Sequence, residues 1–119
     1  MQARKIISRA HEFIGTPYIE NCALKNVGCD CLGLIAAVFE IDEDLRKLGF
    51  EATIEKYFSP CSQNSAKVLA FRVNDNFHFG IMVENNQFIH AHWSQGIVKN
   101  TFGNWFKARF IGAYEKKDL

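Results

Sequence analysis

The sequence predicts an α+β fold, with N-terminal helices packed on a C-terminal antiparallel sheet. Three observations carry this reading. Apolar residues in the first part of the chain recur at helical spacing. From residue 67 onward the chain breaks into short β-prone runs separated by turn residues. Between them, the segment after Asp30 is apolar nearly all round, the mark of a helix buried at the centre of a domain. Helices first and strands after is the α+β order.

The elements follow in turn. Ile6, Ile7, Ala10, Phe13 and Ile14 lie on one helical face of residues 3–14, and Gly15-Thr16-Pro17 stops that helix. Residues 15–29 have no clean period and read as a loop. Asp30 is an N-cap for a helix from Cys31 to about Glu40, filled by Leu32, Leu34, Ile35, Ala36, Ala37, Val38 and Phe39. Asp42 caps a short third helix through Leu45 and Leu48, ended by Gly49. Residues 50–64 are the hardest to read; Pro60, Ser62, Asn64 and Ser65 suggest a loop after a weak helix or an extended piece. Lys67 to Val73 is a strand, closed by the turn Asn74-Asp75-Asn76. Phe77–Val83 and Gln87–Trp93 form a hairpin around Glu84-Asn85-Asn86. Ile97–Asn100 is a further short strand, Asn104–Arg109 a helical turn and Phe110–Glu115 the last strand.

The 119 residues suit one domain, taken as 1–119, without internal repeats. Fourteen Lys and Arg against thirteen Asp and Glu leave a net charge of +1. That charge argues against nucleic acid as the main partner. The longest apolar run, Leu32 to Phe39, has eight residues where a membrane span needs about twenty, so no membrane partner is expected. The first residues lack the continuous apolar core of a signal peptide, which reads as synthesis into the cytosol with a later, separate route of export left open. Cysteines stand at 22, 29, 31 and 61, reduced by default in that compartment.

Cys31 is the strongest single candidate for chemistry. At the first turn of a helix, unpaired backbone N–H groups and the helix dipole favour an anion, which lowers a thiol pKa and yields a nucleophile. Gly33 lets a backbone or a substrate approach the sulfur. A cysteine there also serves as a small core thiol. His78 opens one strand and His90 lies on the next, which is the layout of a cysteine nucleophile with a general base and a group that orients it. Each histidine alone also fits a hydrogen-bonded structural role. Tyr18 can reach the Cys31 side of a cleft and donate to an oxyanion or hold substrate, or simply pack as a surface aromatic.

Strand parity makes the histidine pairing testable. With a plain two-residue turn at Asn85-Asn86, His78 faces Trp93 and His90 projects from the other side of the sheet. A base and its orienter must share a face. An odd loop or a bulge is therefore expected at residues 83–87.

These residues carry a family resemblance. Gly-Thr-Pro-Tyr (15–18), Gly-Cys-Asp-Cys-Leu-Gly-Leu (28–34), His-Phe-Gly-Ile (78–81) and Phe-Ile-His-Ala (88–91), in this order and with twelve residues from one histidine to the other, resemble the NlpC family of cell-wall cysteine peptidases. The likeness extends to Val68–Arg72 and Gly112–Tyr114, almost the whole chain. The run Lys25–Leu34 is similar to the branch encoded with phage tail modules and gene transfer agents. The resemblance implies a papain-like fold and a triad of Cys31 as nucleophile, His78 as base and His90 as orienter. It implies Tyr18 as the active-site tyrosine, Asp30 as a substrate contact besides its capping role, and the Cys31 backbone N–H as an oxyanion donor. The substrate implied is the peptidoglycan stem peptide, cleaved at the γ-D-glutamyl-diaminopimelate bond through an acyl-enzyme without a cofactor. Phage-like tail proteins are implied partners, with a phage-like particle or release to the wall as the destination. The sequence departs from the family pattern at Leu32, where many members carry a Ser that helps bind a free stem-peptide amine. It departs again at Ala66-Lys67, in place of Gly-Asp, and in a shorter 49–65 segment.

Three other readings stay open. Cys29-x-Cys31 and His90-x-His92 raise zinc, although a one-residue spacer fits structural zinc poorly. The chain can be a tail component that keeps the fold without activity, or an amidase on another amide. Cys29 is expected to be packed and reduced, and Cys61 an incidental loop thiol. His11 and His92 have no assigned role, although a shifted hairpin register would bring His92 to the cleft.

Overall fold

The computed structural model describes residues 2–62 and 66–118. Helix α1 (Ala3–Glu12) buries Ile6 and Ala10 and ends ahead of Gly15, whose φ of +93° turns the chain. The predicted loop that follows contains a small hairpin, β1 (Ala23–Leu24) and β2 (Gly28–Cys29). Two strands of two residues are too short to carry a periodic signal, so the pattern read as loop.

Helix α2 (Cys31–Val38) is capped by Asp30 as expected but stops short of Glu40. Glu40 takes φ +57° and the Ile41 N–H returns to the Ala36 carbonyl at 2.8 Å, a Schellman close. The Glu40 carboxylate then pairs with Lys5 and Arg9 of α1. Helix α3 (Leu45–Leu48) is capped by Asp44, which accepts from the Arg46 N–H at 3.1 Å; Asp42, the expected cap, lies too far upstream of the first turn. Gly49 at φ +87° separates α3 from α4 (Phe50–Tyr57), and β3 (Phe58–Cys61) follows directly. The segment that was hardest to read is thus a two-turn helix running into an edge strand, which places Cys61 in a strand rather than a loop. The expected loop positions Asn64 and Ser65 lie outside the described residues.

The remaining strands are β4 (Val68–Val73), β5 (Asn76–Glu84), β6 (Gln87–His92), β7 (Gly96–Thr101) and β8 (Phe110–Lys116), with the short helix α5 (Asn104–Lys107) before β8. With β3 they form one antiparallel sheet in the order β3-β8-β4-β5-β6-β7. Both faces are covered. Leu34, Ile35 and Val38 of α2 and Ile6 of α1 pack on Val68, Ala70, Phe79, Ile81, Val83 and Ile89. The opposite face holds Leu69, Phe71, Met82, Phe88 and Phe102, with Phe106 and Phe110 over them. This double burial explains the unbroken apolar run Val68–Phe71.

The β5–β6 turn meets the parity requirement. Asn85 and Asn86 form a two-residue turn with φ of +50° and +60°, and Glu84 pairs with Gln87. The register then shifts between Met82 and Glu84, so that Met82 pairs with Phe88 and Gly80 with His90. The bulge at Val83 restores even parity and puts His78, His90 and His92 on one face.

Candidate active site

The site is assembled around the first turn of α2. Asp30 is 1% exposed, and its carboxylate accepts from the Gly33 N–H at 2.8 Å and the Asn21 N–H at 2.7 Å. The same carboxylate is paired with the Arg46 guanidinium of α3. Asp30 therefore joins three segments around the helix start, and its capping role is plain in the structure. The Arg46 partner carries no sequence signal, since sixteen residues and an unread register separate the two. Gly33 is required by a close backbone approach: a Cβ there would run into the Cys22 carbonyl oxygen.

Cys31 follows at the helix N-terminus, with its thiol largely enclosed. Burial pushes its pKa up, opposed by the backbone N–H groups of Phe79, Leu32 and Cys31 itself. Desolvation outweighs the helix N-terminus, so the resting group is a neutral thiol. This corrects the expectation of a thiolate formed by the helix dipole. The same three N–H groups remain placed to receive an anion at the sulfur. The structure sets the thiol against the backbone of Phe79, the residue next to His78, rather than in a hydrogen bond with the His78 ring.

The two histidines are in direct contact. His78 Nε2 lies 2.8 Å from His90 Nδ1, with the rings nearly perpendicular at 86°. The β5–β6 register places them on a diagonal of one face. Burial and the charge of His90 and His92 lower the His78 pKa to about 4, so this imidazole is neutral near pH 7. Burial also lowers the pKa of His90, against the opposing effect of its hydrogen bond to Asn100. His90 is 2% exposed and packed against Phe88 and Phe106, at ring-centroid distances of 4.7 and 5.5 Å. Its Nε2 meets Asn100 Oδ1 of β7 at 2.6 Å. The sequence marks Asn100 only as a strand position; the β6–β7 register puts it two residues from Val98 on the His90 side of β7.

Tyr18 is tied beside this turn by a parallel bridge to Cys29, with the Cys29 N–H donating to the Pro17 carbonyl at 2.9 Å. Burial and then the proximity of Cys31 raise the pKa of its hydroxyl, which stays a proton donor. His92 is half-buried, and its Nδ1 is cradled by the N–H groups of Ser94 and Gln95, both at 3.2 Å. His11 is structural: its Nδ1 meets the Ile7 carbonyl at 2.9 Å. All four cysteines carry free thiols. Cys29 is fully buried, with its pKa pushed up to about 12. Among the described residues, no three His, Cys, Asp or Glu side chains converge as a metal site. An open cavity of about 260 Å³ lies on the Leu32–Gly33 side of α2, lined also by Asn21, Cys22 and Arg46.

No family model matches the chain. Its sequence is similar to two curated proteins. It is 27% identical over 117 residues to the probable peptidoglycan endopeptidase LytE of Bacillus subtilis, covering 95% of this chain and 34% of that protein. It is 26% identical over 116 residues to a probable endopeptidase of Haemophilus influenzae, covering 91% of this chain and 71% of the other. The chain thus spans about a third of the length of the first relative and most of the second. Among solved structures, the NlpC/p60 domain of the peptidoglycan hydrolase SagA superposes with a TM-score of 0.72 at 21% identity, over 97% of this chain and 99% of that one. An NLP/P60 family lipoprotein-like structure from Staphylococcus aureus gives 0.71, also at 21% identity, over 94% of this chain and 40% of that one. The chain has the fold of NlpC/P60 domains.

Proposed function

We propose that the protein is a cysteine peptidase acting on peptidoglycan stem peptides, with Cys31 as nucleophile, His78 as general base and His90 as its orienting partner. The observation that carries this reading is the 2.8 Å His78–His90 contact on the strand whose Phe79 backbone holds the Cys31 thiol. The relative named as a probable peptidoglycan endopeptidase supports the substrate class, and the one named as a probable endopeptidase supports the reaction type.

The chemistry starts from a neutral pair. His78 Nδ1 accepts the thiol proton as sulfur attacks the amide carbonyl, so no resting thiolate is needed. The tetrahedral oxyanion is met by the Cys31 backbone N–H and the Tyr18 hydroxyl. The carbon–nitrogen bond breaks as His78 returns its proton to the leaving amine, leaving a thioester. Water, deprotonated by His78, then attacks the thioester, releasing the acid and restoring the thiol. The bond proposed is γ-D-glutamyl-diaminopimelate, on the strength of the Gly-Cys-Asp-Cys and His-Phe-Gly-Ile runs. The Lys25–Leu34 run supports action within a phage-like particle, with tail proteins as partners.

Mass spectrometry of defined muropeptides tests the bond. Free diaminopimelyl-containing and γ-D-glutamyl-ending fragments are expected. Release of intact stem peptide from the muramoyl group would instead make the protein an amidase. Intact substrate, with Cys31 still open to alkylation, would point to a different amide.

A further inference from the structure

Beyond the three residues of the proposed triad, one polar side chain touches the histidine row from a third strand. We infer that Asn100 is a positioning residue that sets the direction of the whole hydrogen-bond row and so leaves Nδ1 of His78 free to act as the base. The inference rests on the peptidase reading for its purpose, but its geometry stands independently.

Three strands contribute one side chain each. His78 on β5 contacts His90 on β6 through Nε2 and Nδ1, at 2.8 Å. His90 contacts Asn100 on β7 through Nε2 and Oδ1, at 2.6 Å. Each contact is diagonal across its strand pair, because His90 itself is registered against Gly80 and Val98. A neutral imidazole has one N–H and one lone pair. With Asn100 presenting its carbonyl oxygen, the proton of His90 must sit on Nε2. The Nδ1 of His90 is then a lone pair, and it accepts from the Nε2–H of His78. The second nitrogen of His78 is left unprotonated.

The reverse order disables the site. If the amide nitrogen of residue 100 faced His90, the Nε2 of His90 would accept and its Nδ1 would donate. His78 would then carry its own proton on Nδ1 and could accept nothing from the thiol. One amide orientation on β7 therefore decides whether the base two strands away is competent.

The surroundings keep this order rigid. Phe88 and Phe106, themselves in edge contact, both pack against the His90 ring, and Phe71 lies 6.3 Å from that of His78. Burial disfavours a second proton on either ring. The titratable group that faces the row is His92 from β6, with its ring 6.4 Å from that of His90; the Cys31 thiol of α2 lies against the backbone of Phe79, next to His78. During turnover His78 gains a proton on Nδ1 while its Nε2–H keeps donating to His90 and the Nε2–H of His90 keeps donating to Asn100, so the row needs no rearrangement.

The test reads the histidine tautomers of the full chain by long-range proton–nitrogen NMR, together with the rate of Cys31 alkylation. Wild type should show His78 and His90 both protonated on Nε2 near pH 7. Asn100→Asp, which can only accept, should keep both tautomers. Asn100→Leu should leave His90 without its Nε2–H preference and slow Cys31 alkylation about tenfold, short of the roughly hundredfold that loss of a base costs. A wild-type His90 protonated on Nδ1 overturns the inference, as does an Asn100→Leu chain with unchanged tautomers. If Asn100→Leu does not fold, an Asn100→Asp chain that loses the Nε2–H of His90 overturns it equally. If the expected tautomers are found but no muropeptide is cut, the hydrogen-bond order stands and the peptidase reading falls.

Discussion

At the scale of single residues, burial decides the chemistry. Cys31 and Cys29 lie two residues apart, yet only Cys31 has backbone N–H groups of α2 and β5 opposing its desolvation. Alkylation of the native chain near pH 8 should therefore label Cys31 well before Cys29, checked by peptide mass mapping; equal labelling would contradict the packing described. Alkylation of Cys31 should also keep rising above pH 8, because its pKa is raised; a plateau below pH 7 would restore the thiolate expected from the helix N-terminus. Asp30 gives a second residue-level prediction. Arg46→Ala leaves a buried carboxylate with its two backbone donors only, and should lower unfolding free energy by about 1–3 kcal/mol in urea. No change would mean that the pair contributes nothing. The residues legible in the sequence were those whose type matches their chemistry: a capping Asp, a helix-start Cys, strand histidines. Arg46 and Asn100 carry no such mark because their roles depend on tertiary approach, and an arginine on the exposed side of a short helix or an asparagine in a short strand looks ordinary on its own.

At the scale of elements, register matters most. The bulge at Val83 gathers the histidines on one face, and it was foreseeable only as a parity requirement that several turn geometries could meet. The turn taken puts two asparagines at positive φ. Asn85→Val would force a β-branched residue into the left-handed region and should cost about 1–2 kcal/mol, measured by thermal or urea unfolding. An unchanged midpoint would argue for a different turn. The helix α1 is readable because one buried face repeats along it, and β4 because burial on both faces leaves an unbroken apolar run. The hairpin β1–β2, the helix α4 and the edge strand β3 were not. They are short, and tertiary pairing rather than local pattern holds them: β3 exists by its register with β8.

At the scale of the whole molecule, the buried histidine row makes stability depend on pH. The folded-state pKa of His78 is about 4, below its ordinary value of 6.5. The unfolded chain therefore binds a proton that the folded chain refuses as pH falls. Stability should be full above pH 6.5 and decline toward pH 4, by on the order of 3 kcal/mol from this group. Urea unfolding at pH 7 and pH 4 measures it, and a His78→Gln chain should lose much of that dependence. The α+β architecture followed from helices preceding strands, and the double-faced burial of the sheet accounts for the continuous apolar runs that identify β4. The central claim is that this fold presents Cys31 as a nucleophile to a cell-wall peptide. The most direct measurement is hydrolysis of a γ-D-glutamyl-diaminopimelate muropeptide by the wild type beside Cys31→Ala between pH 6 and 8. Cleavage by the wild type that vanishes in the variant is the predicted result; cleavage that survives in Cys31→Ala, or its absence from both, would contradict the account.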